Sequence, residues 1–298
     1  MAQPNRRKPA LLRGHILGYA SLARHGPQHD RGVRDDPRGG ILSGAVELFA
    51  GDAALRVLPR GAEAVSWTVG GRELLWPGGE AWPRSSPILF PIVGRARDGA
   101  IRVDGRLYPI GIHGFAAGCD FAVTAQGQDG AAFTLVDDAA TRGHYPFAFR
   151  LEVVYRLEPR CVSVAFRVVN TGDAAMPFAI GTHPGFSWPF AGGDAGGHRI
   201  VFDRDVEPSV PGISPRGLFP DERRPVPVEG RSLTLSHALL SREALCFLDA
   251  GCATVRFVSP GGAAIAVETE NFPHLALWSR PPTPYLCIES WTGHGDPD

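Results

Sequence analysis

Two neighbouring alternating segments limit the folds open to this chain more than any other feature. In residues 149–157 and again in residues 162–170, every second side chain is apolar and most of the intervening ones are polar or small. An alternation with a period of two is typical of a strand that buries one face. The connection Glu158-Pro159-Arg160 is too short for a crossover, so the segments predict a long antiparallel hairpin with one buried face.

The other strand signals are shorter and are separated by turn residues. The chain contains 37 Gly and 27 Pro, spread singly and in pairs between these segments, which is typical of a many-stranded β protein. Residues 191–230 are predicted to be long loops with one short strand, and residues 236–241 a helical turn. Strand-like segments occur at residues 53–58, 64–69, 121–125, 132–136, 244–248, 253–258, 264–269, 275–278 and 285–289.

Composition excludes several classes of function. The 298 residues are 44% hydrophobic with a net charge of -1, so bulk charge gives no reason to expect a nucleic-acid partner. No run approaches the roughly 18 apolar residues of a membrane-spanning helix, so no membrane partner is expected. Lys8 is the only lysine and lies in the basic N-terminal segment, which disfavours Schiff-base, pyridoxal-phosphate and P-loop chemistry.

The cysteine pattern favours free thiols. The number is odd, the residues are scattered, and no CxxC pair occurs, so neither a disulfide framework nor a zinc ribbon is indicated. Buried thiols in a reducing cytoplasm are the expected state. The cysteines are Cys119, Cys161, Cys246, Cys252 and Cys287.

Residues 1–42 differ from the rest of the chain. They hold eight Arg or Lys against three acids and end in Gly-rich, turn-like sequence. Residues 11–23 are interrupted by Arg13 and by His15, so the clean apolar region of a secretory signal is missing. We predict a disordered basic extension over residues 1–42, or a start codon assigned too early, with a basic binding arm as the alternative. The folded domain is predicted to span residues 43–298.

Residues 85–115 give the clearest indication of a site. The apolar run at residues 87–93 leads to Arg95, and two turn dipeptides separate that residue from His113. A polar side chain at the end of a buried strand is a common element of a sugar or acyl site. An Arg or a His at a strand end is, however, more often a surface group or a satisfied core polar group than a site residue.

Two further strand ends carry titratable side chains. Pro184 keeps His183 out of the helical region at the end of a strand, and a second apolar strand ends on Glu289. If these residues converge with Arg95 and His113, Glu289 supplies a carboxylate base and a His supplies the acid. Arg95 and the other His would then hold an oxygen-rich substrate.

Other chemistries fit these residues less well. His113, His183 and Glu289 make a two-His, one-carboxylate set, but no HxH or HExxH spacing supports a metal site, and none is predicted. No GxSxG elbow is present for Ser-His-Asp catalysis. A glycosidase usually needs two facing carboxylates, and Glu289 stands out over the weaker candidates. Those candidates are Glu243, Glu268 and Glu270.

Four short motifs occur in order along the chain. They are WPRSSPILFPIVGR at residues 82–95, HGF at residues 113–115, GTHPGF at residues 181–186 and CIESW at residues 287–291. Together they resemble the aldose 1-epimerase (galactose mutarotase-like) family, in its bacterial LacX-like branch. Each motif alone is weak, but four in order over about residues 43–298 make a specific signal.

The resemblance implies an all-β fold, a large antiparallel β-sandwich of the galactose mutarotase-like supersandwich type. It also implies interconversion of the α and β anomers of an aldohexose without cofactor or metal. By motif, Glu289 matches the family's general base and His183 its general acid, while Arg95 and His113 match its substrate-orienting pair. The base takes the proton of the C1 hydroxyl, the acid protonates the ring oxygen, and the opened ring closes on the other face of C1.

Some positions depart from the family pattern. Ser290 stands where the family usually has Pro, and the chain ends at Asp298, so a truncated C-terminus is expected. Glu243 aligns near a family Asp and is taken as a substrate-binding candidate. Trp278 and Trp291 lie close to Glu289 in sequence and can either stack on a sugar face or pack in the core.

Two alternatives to a hexose mutarotase remain open. A non-catalytic carbohydrate-binding or sugar-sensing module on the same sandwich would keep the aromatic residues and Arg95, but would tolerate loss of His183 or Glu289. A hexose-phosphate epimerase would need an extra cation near the site, for which Arg97 is a weak candidate. The expected protein is a cytoplasmic monomer or homodimer whose partner is a small-molecule sugar.

Overall fold

Strands dominate the computed structural model, which describes residues 11–12 and 44–298. The strands are β1 (Leu11–Leu12), β2 (Val46–Ala50), β3 (Ala53–Leu58), β4 (Glu63–Val69), β5 (Arg72–Glu73), β6 (Ile88–Leu89), β7 (Ala100–Val103), β8 (Arg106–Pro109), β9 (Ala122–Gln126), β10 (Gly130–Val136), β11 (Phe149–Glu158), β12 (Cys161–Asn170), β13 (Gly181–Thr182), β14 (Gly185–Ser187), β15 (Arg199–Phe202), β16 (Ser209–Pro211), β17 (Arg223–Pro225), β18 (Val228–Glu229), β19 (Ser232–Thr234), β20 (Leu245–Phe247), β21 (Thr254–Val258), β22 (Ala264–Glu268), β23 (His274–Trp278) and β24 (Tyr285–Trp291). The helices are α1 (Ala139–Arg142) and α2 (His237–Leu240), with 3-10 turns at Arg97–Gly99 and Ala116–Gly118. The rest of the chain, including nearly all of the predicted basic extension, lies outside the described residues.

The predicted long hairpin is confirmed. Strands β11 and β12 pair antiparallel over their whole length, from Phe149 opposite Asn170 to Glu158 opposite Cys161. The apolar positions of β11, such as Leu151 and Val153, are fully buried, and the intervening positions are partly or fully exposed. The hairpin belongs to a five-stranded sheet with the order β1-β12-β11-β10-β9.

The remaining sheets complete an all-β fold. One sheet has the order β2-β3-β4-β5 and another the order β18-β19-β15-β21-β22, while β7–β8 and β16–β17 form separate hairpins. Every strand pairing in the described part of the chain is antiparallel. Apolar side chains from the inner faces of the sheets share one continuous core, which includes Leu48, Val57, Phe133, Phe166 and Phe257. The predicted fold class is therefore confirmed.

A further sheet positions the candidate site. Its strand order is β20-β23-β24-β13-β6, and β14 extends the pairing along β24. Strand β24 is buried on both faces. Leu286 and Ile288 point into the main core, whereas Trp291 packs in a second apolar cluster with Cys246 and Ala276 on the opposite face. Because side chains alternate along a strand, Glu289 lies on the same face as Trp291.

Residues 191–230 are more regular than the sequence predicts. They contain β15, the β16–β17 hairpin and β18, where a single strand was expected. These elements are two to four residues long, which is too short for a period of two to be visible against Gly, Pro and Arg. The predicted helical turn is confirmed as α2, whose first turn is capped by the Ser236 hydroxyl accepting a hydrogen bond from the backbone N–H of Leu239.

Two further sequence expectations concern cysteines and membranes. All five cysteines are free, and four of them are buried. Within the described ranges, no helix has the length and apolar character needed to cross a bilayer.

Candidate active site

Glu289 is a buried carboxyl group with a defined set of partners. Strand β24 places it beside β13 on one side and β23 on the other, and the residue is 2% exposed. Its Oε2 accepts a hydrogen bond of 3.2 Å from the indole N–H of Trp291. Burial raises the pKa of Glu289 well above its ordinary value, and the Trp291 hydrogen bond acts in the opposite direction.

His183 directly follows β13 and faces this carboxyl group. Its Nε2 lies 3.3 Å from Oε1 of Glu289, and its own backbone N–H donates to the carbonyl of Pro87. The pKa of His183 is lowered to about 3, first by burial and then by His113. Burial thus favours the uncharged form of both partners, so the pair holds a proton that can pass between two groups at hydrogen-bond range.

His113 is the third titratable group of the site. It has a positive φ of 62°, and its Nδ1 accepts a hydrogen bond of 3.1 Å from the backbone N–H of Gly94. Because Nδ1 accepts, the ring proton of the neutral imidazole is on Nε2. The pKa of His113 is lowered to about 4 by burial and by the nearby Arg95, and its ring meets that of His183 edge to face at 5.8 Å. His113 is therefore a neutral hydrogen-bond donor beside the acid–base pair.

Arg95 lies at the rim of the site and is exposed. Its backbone carbonyl accepts a hydrogen bond from the N–H of Asp296 at 2.9 Å, so the C-terminal segment is tied to the loop that carries Arg95. Its side chain passes so close to Gly217 that a Cβ there would lie 2.5 Å from Arg95 Cδ. Together with Arg216, Arg95 lines a cavity of about 270 Å³.

Aromatic rings form one wall of the site. Trp278 meets His183 edge to face at a centroid distance of 5.5 Å. Trp82 is tilted by 30° to the His183 ring at a centroid distance of 5.1 Å and stacks on Tyr285 at 5.2 Å. Trp278 was predicted from the sequence as part of the site, whereas Trp82 was not. The signal for Trp82 is its position at the start of the same motif that ends in Arg95.

Two glycines make room for aromatic rings on either side of His183. A Cβ at Gly181 would lie 2.8 Å from Cδ1 of Trp291, and a Cβ at Gly185 would lie 2.6 Å from Cζ3 of Trp82. Both distances are shorter than any real Cβ contact tolerates, so these positions need glycine for space. The motif GTHPGF thus leaves space for the Trp291 ring beside Gly181 and for the Trp82 ring beside Gly185.

Glu243 lies two residues before β20, the edge strand of the same sheet, and contacts the loop that contains Ile213. Its Oε1 is 2.9 Å from Nε of Arg224, and its Oε2 accepts a hydrogen bond of 3.0 Å from the backbone N–H of Ile213. Ile213 and Phe219 pack against the apolar cluster that contains Trp291. Glu243 therefore anchors the loop over the site, and sequence reasoning missed its partner Arg224.

The structure brings His113, His183, Glu289 and Trp278 together and places Arg95 at their rim. Trp291 is buried and donates to Glu289, so its face is not presented to a ligand. Over residues 44–298, no group of three or more His, Cys, Asp or Glu side chains has a metal-binding arrangement. The site can move a proton between two buried groups at an aromatic wall.

Two solved structures have folds similar to that of this chain. A galactose mutarotase-like protein from Lactobacillus casei is 29% identical, covers 85% of this chain and 89% of its own, and superposes with a TM-score of 0.79. A galactose mutarotase related enzyme from Lactobacillus acidophilus gives the same identity and TM-score, over 85% of this chain and 87% of its own. The fold and the site thus define a galactose mutarotase-like β-sandwich.

Sequence comparisons give the family. Residues 45–292 match the family model for aldose 1-epimerase. The LacX protein of Lactococcus lactis is 31% identical over 236 residues, which cover 75% of this chain and 79% of that relative. The chain belongs to the aldose 1-epimerase family, as its four motifs indicated. Membership supports a sugar epimerase or mutarotase role, and hence an isomerase-type enzyme.

Proposed function

We propose that the protein is an aldose 1-epimerase that interconverts the α and β anomers of an aldohexose by general acid–base catalysis, without a cofactor. The observation that carries the proposal is the buried pair of His183 Nε2 and Glu289 Oε1, 3.3 Å apart beside an aromatic wall. Anomerisation requires one proton to leave the C1 hydroxyl and one to reach the ring oxygen. Two adjacent groups that can exchange one proton, so that one accepts from the sugar while the other donates to it, meet that requirement.

In the proposed reaction Glu289 is the base and His183 is the acid. Burial deprives the ionised Glu289 carboxylate of hydrogen bonds from water. Sugar hydroxyl groups that enter the site donate hydrogen bonds to this carboxylate, which favours the state with Glu289 ionised and the proton on His183. Glu289 then accepts the proton of the C1 hydroxyl while His183 protonates the ring oxygen and the C1–O5 bond breaks. Rotation about C1–C2 and reversal of both transfers give the other anomer.

The neighbouring residues are proposed to orient the sugar. The Nε2–H of neutral His113 donates to a sugar oxygen, and Arg95 stabilises charge on oxygen from the rim. Trp278 supplies an apolar face for the C–H groups of the ring. Glu243 supports substrate binding through the loop that it anchors with Arg224, since both of its oxygens are engaged in the structure.

Polarimetry tests the proposal directly. Freshly dissolved α-glucose and α-galactose are followed with and without the purified protein, and Glu289→Gln is measured beside the wild type. Acceleration over buffer by the wild type but not by the variant is expected. A folded wild-type protein that accelerates none of the sugars, but binds them by calorimetry, would instead identify a carbohydrate-binding or sugar-sensing module.

A hexose phosphate is a second candidate substrate, favoured by one observation. Arg216 lines the same cavity as Arg95, so two guanidinium groups border that cavity, although Arg216 is paired with the Asp298 carboxylate. Arg97, the cation suggested by the sequence, donates instead to the backbone carbonyl of Pro297. Glucose 6-phosphate in the polarimetric panel distinguishes the two substrates by their kcat/KM values.

The free cysteines support a proposal for the cellular compartment. Cys246 and Cys287 are fully buried on the site face of the sheet, and burial raises the pKa of both thiols. Free buried thiols suit a reducing compartment, so we propose that the protein acts in the cytoplasm. We propose separately that it acts as a monomer or homodimer.

A further inference from the structure

Trp291 holds one oxygen of Glu289 and leaves the other directed at His183. The indole N–H is 3.2 Å from Oε2, while Oε1 is 3.3 Å from Nε2 of His183. An indole N–H can only donate. The two carboxyl oxygens therefore have different partners, one a fixed donor and the other a group that exchanges protons.

The fold keeps this indole in place. Trp291 is 4% exposed and packs among Leu89, Val93 and Cys246. In the pairing of β13 with β24 it lies opposite Gly181, where a Cβ would come within 2.8 Å of its ring. The Trp291 ring therefore fills the space beside Gly181 as well as its core position, and it has little freedom to turn.

We propose that Trp291 is a positioning residue for the acid–base pair: its N–H fixes Oε2 of Glu289 and presents Oε1 to His183 and to the reacting oxygen. The inference rests on the proposed function, because it assigns Glu289 as the base. It assigns no contact between Trp291 and the substrate. Trp291 acts only through the carboxyl group that it holds.

The hydrogen bond also has an electrostatic consequence. It stabilises the ionised carboxylate more than the neutral acid, so it lowers the pKa that burial raises. Other titratable groups face Glu289 from its own strand and from the elements packed against it. They are His183, Cys246, Cys287 and Tyr285, with His113 beyond His183.

Trp291→Phe tests the inference because it removes the N–H and keeps an aromatic ring. A hydrogen bond to a charged group typically corresponds to a shift of about one to two pH units in the titration of that group. The acidic limb of kcat/KM is expected to move to higher pH by that amount. Activity below the limb should fall about ten- to a hundredfold, and activity on the plateau should fall severalfold, because Oε2 of Glu289 is no longer held. A merely structural role would lower activity equally at all pH values.

Trp188→Phe is the matched control. Trp188 is also buried, and its N–H donates to the backbone carbonyl of Ala195 at 3.0 Å, away from Glu289. This variant loses a comparable hydrogen bond and should keep the wild-type pH profile. If Trp291→Phe does not fold, 3-benzothienylalanine at position 291 keeps the shape of the indole without its N–H.

A second measurement separates this inference from the proposed function. Carbon-13 NMR of glutamate labelled at the carboxyl carbon, assigned with Glu289→Gln, follows the ionisation of Glu289 without turnover. An upward shift of its titration in Trp291→Phe supports the positioning role even if the wild type is inactive on every sugar, which would overturn the proposed function alone. An unchanged titration would overturn the positioning role whatever the activity.

Discussion

Replacement of Glu289 by glutamine removes the proposed base while keeping its shape. The side chain is buried between Trp291 and His183, so a smaller residue would leave a cavity and an unpaired N–H. The amide oxygen of glutamine can accept from Trp291 as Oε2 does. Its NH₂ group can donate to Nε2 of His183 across the 3.3 Å separation. The variant therefore loses proton transfer and little else.

The expected loss of activity follows from that single change. A positioned acid or base contributes roughly 10²–10⁴-fold to a proton-transfer step. Because Glu289 and His183 act as a pair, we expect kcat to fall about 10³-fold or more. KM should stay within about twofold, since the groups proposed to orient the sugar are unaltered.

The same substitution has a signed effect on stability. Burial raises the pKa of Glu289 above its value of about 4.5 in the unfolded chain, so the folded state binds more protons in the window between the two values. Wild-type stability therefore decreases as pH rises through this window. Glutamine does not titrate. The free energy of unfolding of the variant should therefore equal that of the wild type at about pH 4 and exceed it at about pH 8.

Polarimetry from about pH 5 to 9 and thermal unfolding at the two pH values measure both effects. Glu158→Gln is the control, since it makes the same chemical change at an exposed strand end. Wild-type kcat in Glu289→Gln would refute the assignment of the base. A variant that loses stability at high pH relative to the wild type would refute the claim that burial disfavours the ionised carboxyl group.

Three further substitutions probe the surroundings of the pair. His183→Asn should lower kcat roughly 10²–10⁴-fold. The pKa of His183 is about 3 in the folded protein and 6.5 in the unfolded chain, so the wild type loses stability as pH falls below 6.5. The variant should therefore be less destabilised by acid, and equal acid sensitivity in thermal unfolding would contradict this. Trp82→Ala should raise KM about tenfold if the ring over His183 contacts sugar, and an unchanged KM would exclude that contact. Gly217→Ala should raise KM severalfold by displacing Arg95, whereas Gly262→Ala, with a similar positive φ of 83° and open space around it, should lose stability only.

The strands and strand ends were predictable because their signals are local. The alternation in β11 and β12 depends on neighbouring residues, and so does the break that Pro184 imposes after His183. The motifs then predicted which of these segments carry the candidate site. The sequence could not reveal that Arg224 pairs with Glu243, because that contact joins the β16–β17 hairpin to a separate segment that precedes β20.

The chemistry of the site depends on strand register, which local patterns do not encode. Thr182 of β13 pairs with Ser290 of β24, and this pairing places His183 beside Glu289. A shift of one residue in β24 would turn Glu289 toward the main core and bring Ile288 to the site face. Gly181 opposes that shift, because it is the residue that admits the Trp291 ring at its observed position. Register, the indole N–H and the pair of His183 and Glu289 are thus linked, and the proposed reaction depends on glycine at position 181 as well as on the titratable groups.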